Sequence, residues 1–316
     1  MVSIETSFQS RGERCAATLM LPNPSPSPSP PVIIMAHGFG AIRAAGLPAI
    51  AGRFVAEGYA AYLFDYRNFG DSDGEPRHWV SPRRHLQDWA AAIAHVRSLP
   101  EVDANRMVLW GTSFSGGHVI QTAAADHRVR AVIAQVPHVS GLAGMRQIPF
   151  GLSLRMVLAA MRDLCGSVIR RPHYSPIVGR PGDMAALTGD DAWHGYARLL
   201  PAGAEWENKV LSRVFLEVPL YSPIRRAHKV TAPTLIVAGT NDTITPASAA
   251  RRASRCIPNG EFHLVEGNHF ELHLHDERAF ASSIAAQLAF LNRHIGVVPR
   301  ATGQSSQCCQ LMESRP

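Results

Sequence analysis

The sequence predicts an α/β fold in which helices flank a mostly parallel central sheet and a helical cap is inserted after the sixth strand. Three observations support this prediction. Apolar segments of strand length alternate with segments of helical apolar spacing, which is typical of a parallel sheet covered on both faces. The run VIIMA at residues 32–36 is apolar throughout and rich in β-branched residues, as in a strand buried on both faces. The alternation stops near residue 141 and resumes near residue 228.

Strand and helix signals follow one another through the first part of the chain. The segment CAATLML predicts a strand, and a proline-rich extended connector joins it to the strand VIIMA. Pro48 stands in the first turn of a predicted helix that ends near Gly58, and AAYLFDY predicts the next strand. Ser81 and Pro82 begin a second helix. The strand MVLW, an alanine-rich helix and the strand AVIAQV complete this part.

The second part of the chain predicts an insertion and then a return to the sheet. Residues 141–227 carry helix and loop signals, and we expect them to form a cap over one edge of the sheet. The strand TLIVAG, a helix near PASAARRAS, the strand FHLVE and a long final helix follow. The predicted organisation is a core of residues 1–140 and 228–296, a cap at 141–227 and a flexible tail at 297–316.

Composition excludes several classes of protein. An apolar fraction of 46% with 18% charged residues is typical of a soluble globular protein. The formal net charge is +6, but only Lys209 and Lys229 are lysines and the arginines are spread along the chain, so no clustered patch for nucleic acid is expected. No apolar run approaches the roughly 18 residues of a spanning helix, and the N-terminus lacks a secretory apolar stretch. We therefore predict a cytoplasmic protein without a stable membrane anchor.

The cysteines predict free thiols. Their spacings match neither a disulfide framework nor a metal-binding pair. The five are Cys15, Cys165, Cys256, Cys308 and Cys309. Palmitoylation of the adjacent pair in the C-terminal tail stays open.

The segment GTSFSGG, directly after the strand MVLW, offers two serines as a nucleophile. A G-x-S-x-G turn would have glycine two places after the reactive serine, but Ser115 stands two places after Ser113. We interpret Ser113 as the nucleophile and Ser115 as a packing or capping residue, because serine is small and Gly116 and Gly117 permit a close approach. Helix capping by Ser113, and Ser115 as nucleophile, are the alternatives.

Reactive side chains follow two further predicted strands. Asp242 comes after TLIVAG and His269 comes after FHLVE, 27 residues later, enough for one helix and one strand. Because parallel strands place their carboxyl ends at one edge, these loops should lie side by side. A histidine activates a serine hydroxyl, and a carboxylate fixes the histidine tautomer. The order serine, acid, histidine is that of the α/β-hydrolases.

The chain resembles the α/β-hydrolase fold family from about residue 13 to residue 295. Five runs also resemble a narrower group of capped serine hydrolases of bacteria and fungi, whose fungal members include polyketide transferases and thioesterase-like enzymes. These runs are MAHGFGAIRAAGLP, FDYRNFGDSDGEPR, DWAAAI, LWGTSFSGGH and QVPHVSG.

The resemblance implies a role for each matching residue. The family's nucleophile falls on Ser113, its acid on Asp242 and its histidine on His269. Its oxyanion-hole amides fall on Phe39, in HGFG, and on Phe114. These two residues would act through their backbone N–H groups rather than their rings.

Asp242 and His269 each allow another interpretation. Asp242 could cap the helix that begins near Pro246. His269 lies close in sequence to His273 and His275, which suggests a metal site, but the pattern is not H-E-x-x-H and no second cluster supplies ligands. We therefore predict no metal and no cofactor, and we interpret His273 and His275 as polar residues leading into the last helix.

Four further residues receive minor roles. Asp65 and Arg67 are expected to form a structural ion pair or turn. His37 is expected to support the HGFG loop by a hydrogen bond, and His138 is a candidate substrate contact at the mouth of the cap.

The predicted chemistry is acyl transfer through a covalent intermediate on a small-molecule acyl substrate. With water as acceptor the protein is an esterase or thioesterase, and with an alcohol or amine it is an acyltransferase. A non-catalytic ligand-binding protein is the third class, which the three filled triad positions oppose. The resemblance implies a polyketide synthase or its acyl product as a partner. The apolar segment around residues 152–164 is expected to cover an acyl pocket, with membrane association as the alternative. The substrate and the oligomeric state stay open.

Overall fold

Helices and strands alternate along most of the computed structural model, which describes residues 1–25, 27–141, 149–188, 191–274 and 277–297. The strands are β1 (Val2–Ser10), β2 (Glu13–Leu21), β3 (Pro31–Ala36), β4 (Ala60–Phe64), β5 (Asp103–Thr112), β6 (Ala131–Gln135), β7 (Tyr174–Ser175), β8 (Val210–Leu211), β9 (Thr234–Gly239) and β10 (Gly260–Val265). The α-helices are α1 (Leu47–Ala56), α2 (Pro82–Val96), α3 (Phe114–Ala123), α4 (Phe150–Val168), α5 (Ala192–Leu199), α6 (Val214–Glu217), α7 (Ala247–Cys256) and α8 (Arg278–His294). Two 3-10 helices cover Val218–Leu220 and Pro223–Lys229. Apart from Val297, the predicted tail at 297–316, with Cys308 and Cys309, lies outside the described residues.

The central sheet has the order β1-β2-β4-β3-β5-β6-β9-β10. β1 pairs antiparallel with β2, and β2 pairs antiparallel with β4, whereas all pairs from β4 to β10 are parallel. This confirms the mostly parallel sheet, and the inserted segment follows β6, the sixth strand. The loops after β5, β9 and β10 therefore leave the sheet at one edge, where ligand sites form in parallel sheets.

Strand β3 shows how the sheet is covered on both faces. All six of its residues are buried, and successive side chains point to opposite faces. Ile33 belongs to an apolar cluster with Phe54 of α1 and Phe280 of α8. Ile34 belongs to a second cluster with Trp89 of α2 on the other face. The continuous apolar pattern of VIIMA thus reflects two separate cores.

The segment between β6 and β9 contacts the loop after β3. The Tyr196 hydroxyl donates to the Phe39 carbonyl (2.9 Å), and Trp206 Nε1 donates to the Gly40 carbonyl (2.9 Å). A Cβ on Gly40 would lie 2.7 Å from Ile177 Cδ1, so the two segments are closely packed at this point. These contacts support a cap over the sheet edge, and the division into core and cap stays a prediction.

The side of helix α4 that packs against the rest of the protein carries few large apolar residues. Met156, Ala159, Ala160 and Asp163 are buried, whereas most large apolar side chains of the helix are exposed. The apolar side of α4 was expected to cover an acyl pocket. This expectation is wrong, because that side of the helix faces outward. Among the described helices, none combines the length and apolarity needed to span a bilayer.

Candidate active site

Ser113 occupies a strained turn between β5 and α3. Its φ is 53° and its ψ is −116°, a conformation that costs about 1–3 kcal/mol and persists where neighbours enforce it. The Ser113 N–H donates to the Gln135 carbonyl (2.9 Å), and the Ser113 carbonyl accepts from the His138 N–H (2.8 Å). Gln135 ends β6 and His138 follows it, so the neighbouring strand fixes the turn. Ser113 itself is half-buried at the sheet edge.

The two glycines after Ser115 allow the helix to pass close to the β6 loop. A Cβ on Gly116 would lie 2.9 Å from Pro137 Cα, and one on Gly117 would lie 2.3 Å from the His138 carbonyl oxygen. No side chain is accommodated at the second distance without a backbone shift. The predicted close approach at Gly116 and Gly117 is confirmed.

Ser115 is held in the core and away from the sheet edge. It is fully buried, and its hydroxyl lies 2.8 Å from the Tyr66 hydroxyl. The Tyr66 hydroxyl also accepts from Trp89 Nε1 (2.9 Å). The packing role predicted for Ser115 is therefore what the structure shows, and the second serine of GTSFSGG is not available to a substrate.

Asp242 and His269 form a buried hydrogen-bonded pair. His269 Nδ1 lies 2.7 Å from Asp242 Oδ2. The other carboxylate oxygen, Oδ1, accepts from the Ile244 N–H (2.9 Å) and the Thr245 N–H (2.7 Å). One oxygen thus shapes the loop after β9 and the other orients the histidine. Asp242 does not cap α7, whose first flanking residue is Pro246.

The ionised form of Asp242 is favoured despite its burial. Burial alone raises the pKa of this carboxyl, but His269 and the hydrogen bonds from Thr245 lower it, and the resulting pKa lies below the usual range. A carboxylate can only accept, so His269 Nδ1 carries the proton and Nε2 is the acceptor nitrogen. That tautomer is the one a general base requires.

Ser113 and His269 follow β5 and β10, whose carboxyl ends lie at the same sheet edge. In the part of the chain that is described, no hydrogen bond joins Ser113 Oγ to His269, and such bonds are often long in the absence of substrate. A Cβ on Gly38 would lie 3.1 Å from Ser113 Cβ and 3.6 Å from its Oγ. The glycine of HGFG therefore borders the serine side chain.

His273 connects the serine turn to the His269 loop, a contact that sequence reasoning missed. Its Nδ1 lies 3.1 Å from the His269 carbonyl and therefore donates, which leaves Nε2 to accept from the Thr112 hydroxyl. Burial, and then the neighbouring His269, lowers the pKa of His273 to about 3, so the ring is neutral. Thr112 directly precedes Ser113. His273 is thus a buried bridge rather than a polar residue leading into the last helix.

The backbone orients the two amides expected to form an oxyanion hole. His37 Nδ1 donates to the Gly38 carbonyl (3.0 Å), as expected for loop support. Because a trans peptide places N–H and C=O on opposite sides, the Phe39 N–H of that peptide points away from His37. The Ser113 carbonyl likewise accepts from the His138 N–H, so the Phe114 N–H of the same peptide points away from His138. Neither amide donates to any residue that the structure describes.

Neutral histidines surround the Phe114 ring. Burial lowers the pKa of His138 to about 4, and burial followed by neighbouring histidines lowers those of His85 and His118 well below the usual range. His118 Nδ1 lies 2.7 Å from the Tyr221 hydroxyl, and His118 Nε2 lies 3.2 Å from His85 Nδ1. His138 Nε2 is buried and has no hydrogen-bond partner among the described residues. The space beside Phe114 is therefore uncharged.

Of the two roles expected for Asp65 and Arg67, the ion pair between them is wrong, whereas the turn is present: Arg67 lies in the turn after β4, and Asp65 Oδ2 accepts from the Asp71 N–H (3.3 Å). Asp65 pairs with Arg43, and its Oδ1 lies 3.7 Å from His37 Nε2. Arg67 pairs with Asp88 in the middle of α2. Arg43 lies in the loop after β3 and Asp88 lies on α2, so Asp65 and Arg67 each tie a separate segment to the loop after β4.

The described residues include no group of three or more His, Cys, Asp or Glu side chains arranged to hold a metal ion. His275, the third histidine of the run considered as a metal site, lies outside them. Of the cysteines that the structure covers, Cys15 is buried, and Cys165 and Cys256 are exposed free thiols.

Comparison with protein families decides the classification. The family model described as "Alpha/beta hydrolase family" matches residues 33–283. The chain belongs to this family. It also shares 38% identity over 93% of its length with quorum-quenching protein AidA of Acinetobacter baumannii, covering 96% of that protein. Polyketide transferase af380 of Aspergillus fumigatus is 28% identical over 84% of this chain and 90% of its own. Membership of this family and similarity to these relatives show that this α/β hydrolase is an enzyme.

Solved structures agree on the fold. The α/β hydrolase GrgF from Penicillium sp. sh18 superposes with a TM-score of 0.78, covering 94% of this α/β hydrolase and all of its own chain, at 24% identity. The fold expected from the sequence is confirmed.

Proposed function

We propose that this α/β hydrolase is a serine hydrolase that cleaves an ester or thioester through Ser113, His269 and Asp242. The observation that carries the proposal is the Asp242–His269 pair, buried and fixed in the basic tautomer, at the sheet edge where the strained Ser113 turn lies. Strain of this kind is retained at functional sites, and a structural serine would not require it.

The proposed reaction has two halves. His269 Nε2 takes the proton of Ser113 Oγ as that oxygen attacks the acyl carbonyl, and the Asp242 carboxylate stabilises the resulting imidazolium. The Phe39 and Phe114 amides hold the oxyanion. The C–O or C–S bond then breaks, and the protonated histidine delivers its proton to the leaving alcohol or thiol. Water deprotonated by His269 attacks the acyl-enzyme and releases a carboxylic acid and free Ser113.

The residues around Phe114 favour a substrate with an uncharged, apolar acyl group. The Phe39 and Phe114 rings contact each other edge to face with centroids 5.5 Å apart, and Phe114 also packs against His138 and Tyr221. Since burial keeps His138 neutral, neither a carboxylate nor an ammonium group on the acyl chain would find a counter-ion there.

Turnover of soluble model substrates tests the proposal. We expect the wild type to release p-nitrophenol from p-nitrophenyl esters, or free thiol from acyl-coenzyme A thioesters, and we expect Ser113→Ala to lose activity by at least about 10³-fold. Ser115→Ala is the matched control and should keep activity within a few fold. Equal activity of Ser113→Ala and the wild type would refute the assignment.

Acyl transfer is the second candidate, because a polyketide transferase matches 84% of this chain. Products are compared at fixed water content with and without an added alcohol or amine. A new ester or amide that forms at the expense of the acid would make the protein an acyltransferase with the same residues. A cytosolic location, a polyketide synthase as partner and a quorum signal as substrate are further proposals, and of these the product analysis bears on the substrate.

A further inference from the structure

The outward side of α4 is an unbroken apolar surface. Seven large apolar side chains of this helix are between 41% and 85% exposed. They are Phe150, Leu154, Val157, Leu158, Met161, Leu164 and Val168. Their spacing of three and four residues places them on one side of the helix, where the exposed Cys165 also lies. We call this set the α4 face.

No polar residue interrupts the α4 face. A helix of 19 residues is about 28 Å long, so the apolar strip runs the full length of the helix. Monomeric soluble proteins rarely expose contiguous apolar surface of this extent, and such patches mark interaction sites.

The inner side of α4 fixes this orientation. Asp163 is fully buried and accepts from Arg213 Nε (2.7 Å), the Arg213 N–H (3.0 Å) and the His173 N–H (2.9 Å). The Arg213 guanidinium also lies 4.9 Å from the ring of Trp79, which precedes α2. Turning the apolar side inward would bury those side chains at the cost of leaving this carboxylate unpaired. The helix is therefore held with its apolar side in solvent.

The rim of the α4 face is positively charged. Arg155 and Arg162 lie about one turn and about three turns from the first residue of α4, on the same edge of the α4 face. Arg170 and Arg171 follow the last turn of the helix. All four arginines are exposed. None of the four makes an ion pair with a described residue. Of the acids on α4 and α6, Asp163 is committed to Arg213, and Glu217 is half-buried. The α4 face thus combines apolar side chains with an unneutralised cationic rim.

We propose that the α4 face docks the protein on an anionic lipid surface. A helix with one apolar side and basic flanks lies in the interface plane of a bilayer, held by apolar burial and by attraction to anionic headgroups. A second copy is a poorer fit, because a two-fold interface uses the same patch twice and would bring the two arginine rims together without acids between them. The residues from 298 onward are no better match, since Arg300 and Arg315 outnumber Glu313.

Vesicle co-sedimentation of the full chain tests the proposal. Vesicles of phosphatidylcholine alone are compared with vesicles that contain roughly 30 mol % phosphatidylglycerol. We expect the protein to sediment with the anionic vesicles, and less so as salt rises from about 0.05 to 0.5 M. Equal binding to both vesicle types, or no binding to either, would overturn the proposal.

Two sets of substitutions separate the apolar and the charged contributions. Leu154→Ser, Leu158→Ser and Met161→Ser together should weaken vesicle binding by at least about tenfold. Arg155→Ala and Arg162→Ala should each weaken it by about fivefold. The matched control is Ile4→Ser, which removes a similarly exposed apolar side chain from β1 and should leave binding unchanged. If the arginine variants bind as well as the wild type, the anionic surface is not the partner.

Sedimentation velocity without lipid decides between a bilayer and a second copy. We expect the wild type and the triple serine variant to sediment as the same species. A wild-type dimer that the triple variant converts to monomer would assign the α4 face to self-association and overturn the proposal. If the triple variant fails to fold, the arginine variants and the salt series still test the proposal.

Discussion

Replacing Asp242 by asparagine should invert the tautomer of His269 while preserving the fold of the loop. Oδ1 of Asp242 accepts two backbone N–H groups, from Ile244 and Thr245. An asparagine must keep its carbonyl oxygen there, because its NH₂ group would face two donors. The NH₂ group is then directed at His269 Nδ1, in the place of an oxygen that lies 2.7 Å from that nitrogen.

A donor facing Nδ1 requires Nδ1 to be the acceptor, so the ring proton moves to Nε2. The histidine then cannot take the proton of Ser113. In the wild type the Thr245 hydroxyl proton has two acceptors within reach, Asp242 Oδ2 (2.8 Å) and the Val136 carbonyl (2.9 Å). In the variant this hydroxyl can donate to Val136 and accept from the second N–H of the asparagine, so every polar group keeps a partner. We expect kcat to fall by about 10⁴-fold, equivalent to about 5 kcal/mol of transition-state stabilisation. The loss of free energy of unfolding should be smaller, about 1–3 kcal/mol.

Steady-state hydrolysis of a p-nitrophenyl ester, with urea unfolding of the same samples, checks both numbers. Thr245→Val is the matched control, since it removes a hydrogen bond to the same carboxylate without changing the tautomer, and it should lose less than about tenfold in kcat. An Asp242→Asn enzyme that folds and works within tenfold of the wild type would show that the Asp242–His269 pair is structural.

Three further outcomes follow from other contacts. Ser115→Ala should keep kcat within a few fold and lose about 1–2 kcal/mol in urea unfolding, because the Tyr66 hydroxyl loses one partner; a loss of activity as large as that of Ser113→Ala would contradict the assignment. His273→Leu leaves the Thr112 hydroxyl and the His269 carbonyl unpaired, so kcat should fall more than KM rises. His273→Gln should recover part of the lost kcat. A variant that changes only in thermal stability would show that His273 is a structural residue. Since burial lowers the pKa of His138 to about 4 and that of His273 to about 3 from 6.5, the unfolded chain takes up protons first as pH falls below 6.5. The stability that is complete above pH 6.5 should therefore be lost towards pH 4 at up to about 1.4 kcal/mol per pH unit for each histidine, and a flat urea-unfolding profile would refute this.

The sequence predicted the parts of the molecule that strand ends determine. Ser113, Asp242 and His269 each follow an apolar strand of the parallel sheet, so chain order and strand length were enough to place their loops at one edge. β1 also carries a strand pattern, because Val2, Ile4 and Phe8 alternate with polar residues, as in an antiparallel strand with one solvated face. It was not predicted.

Contacts between distant elements could not be inferred in the same way. The bridge from Thr112 to His273 spans 161 residues, and nothing in the run HFELHLHD distinguishes a buried histidine from an exposed one. Asp65 and Arg67 are neighbours in sequence, which suggested an ion pair, but their partners lie 22 and 21 residues away.

The orientation of α4 was also hidden in the sequence. Apolar periodicity defines the two sides of a helix without saying which of them meets the protein. Here a single buried carboxylate, Asp163, and its partner Arg213 decide the matter. These residues lie 50 positions apart, so the exposed apolar side of α4 became visible only in the folded chain.

The nucleophile is the central claim, and intact-mass spectrometry after reaction with a fluorophosphonate probe tests it most directly. The probe phosphonylates a serine whose hydroxyl is activated as a nucleophile: Oγ attacks phosphorus and fluoride leaves. We expect the wild type to gain the mass of one phosphonyl group, the Ser115→Ala variant to gain the same mass, and the Ser113→Ala variant to gain none. A wild type that stays unmodified, or a Ser113→Ala variant that is still modified, would contradict the account.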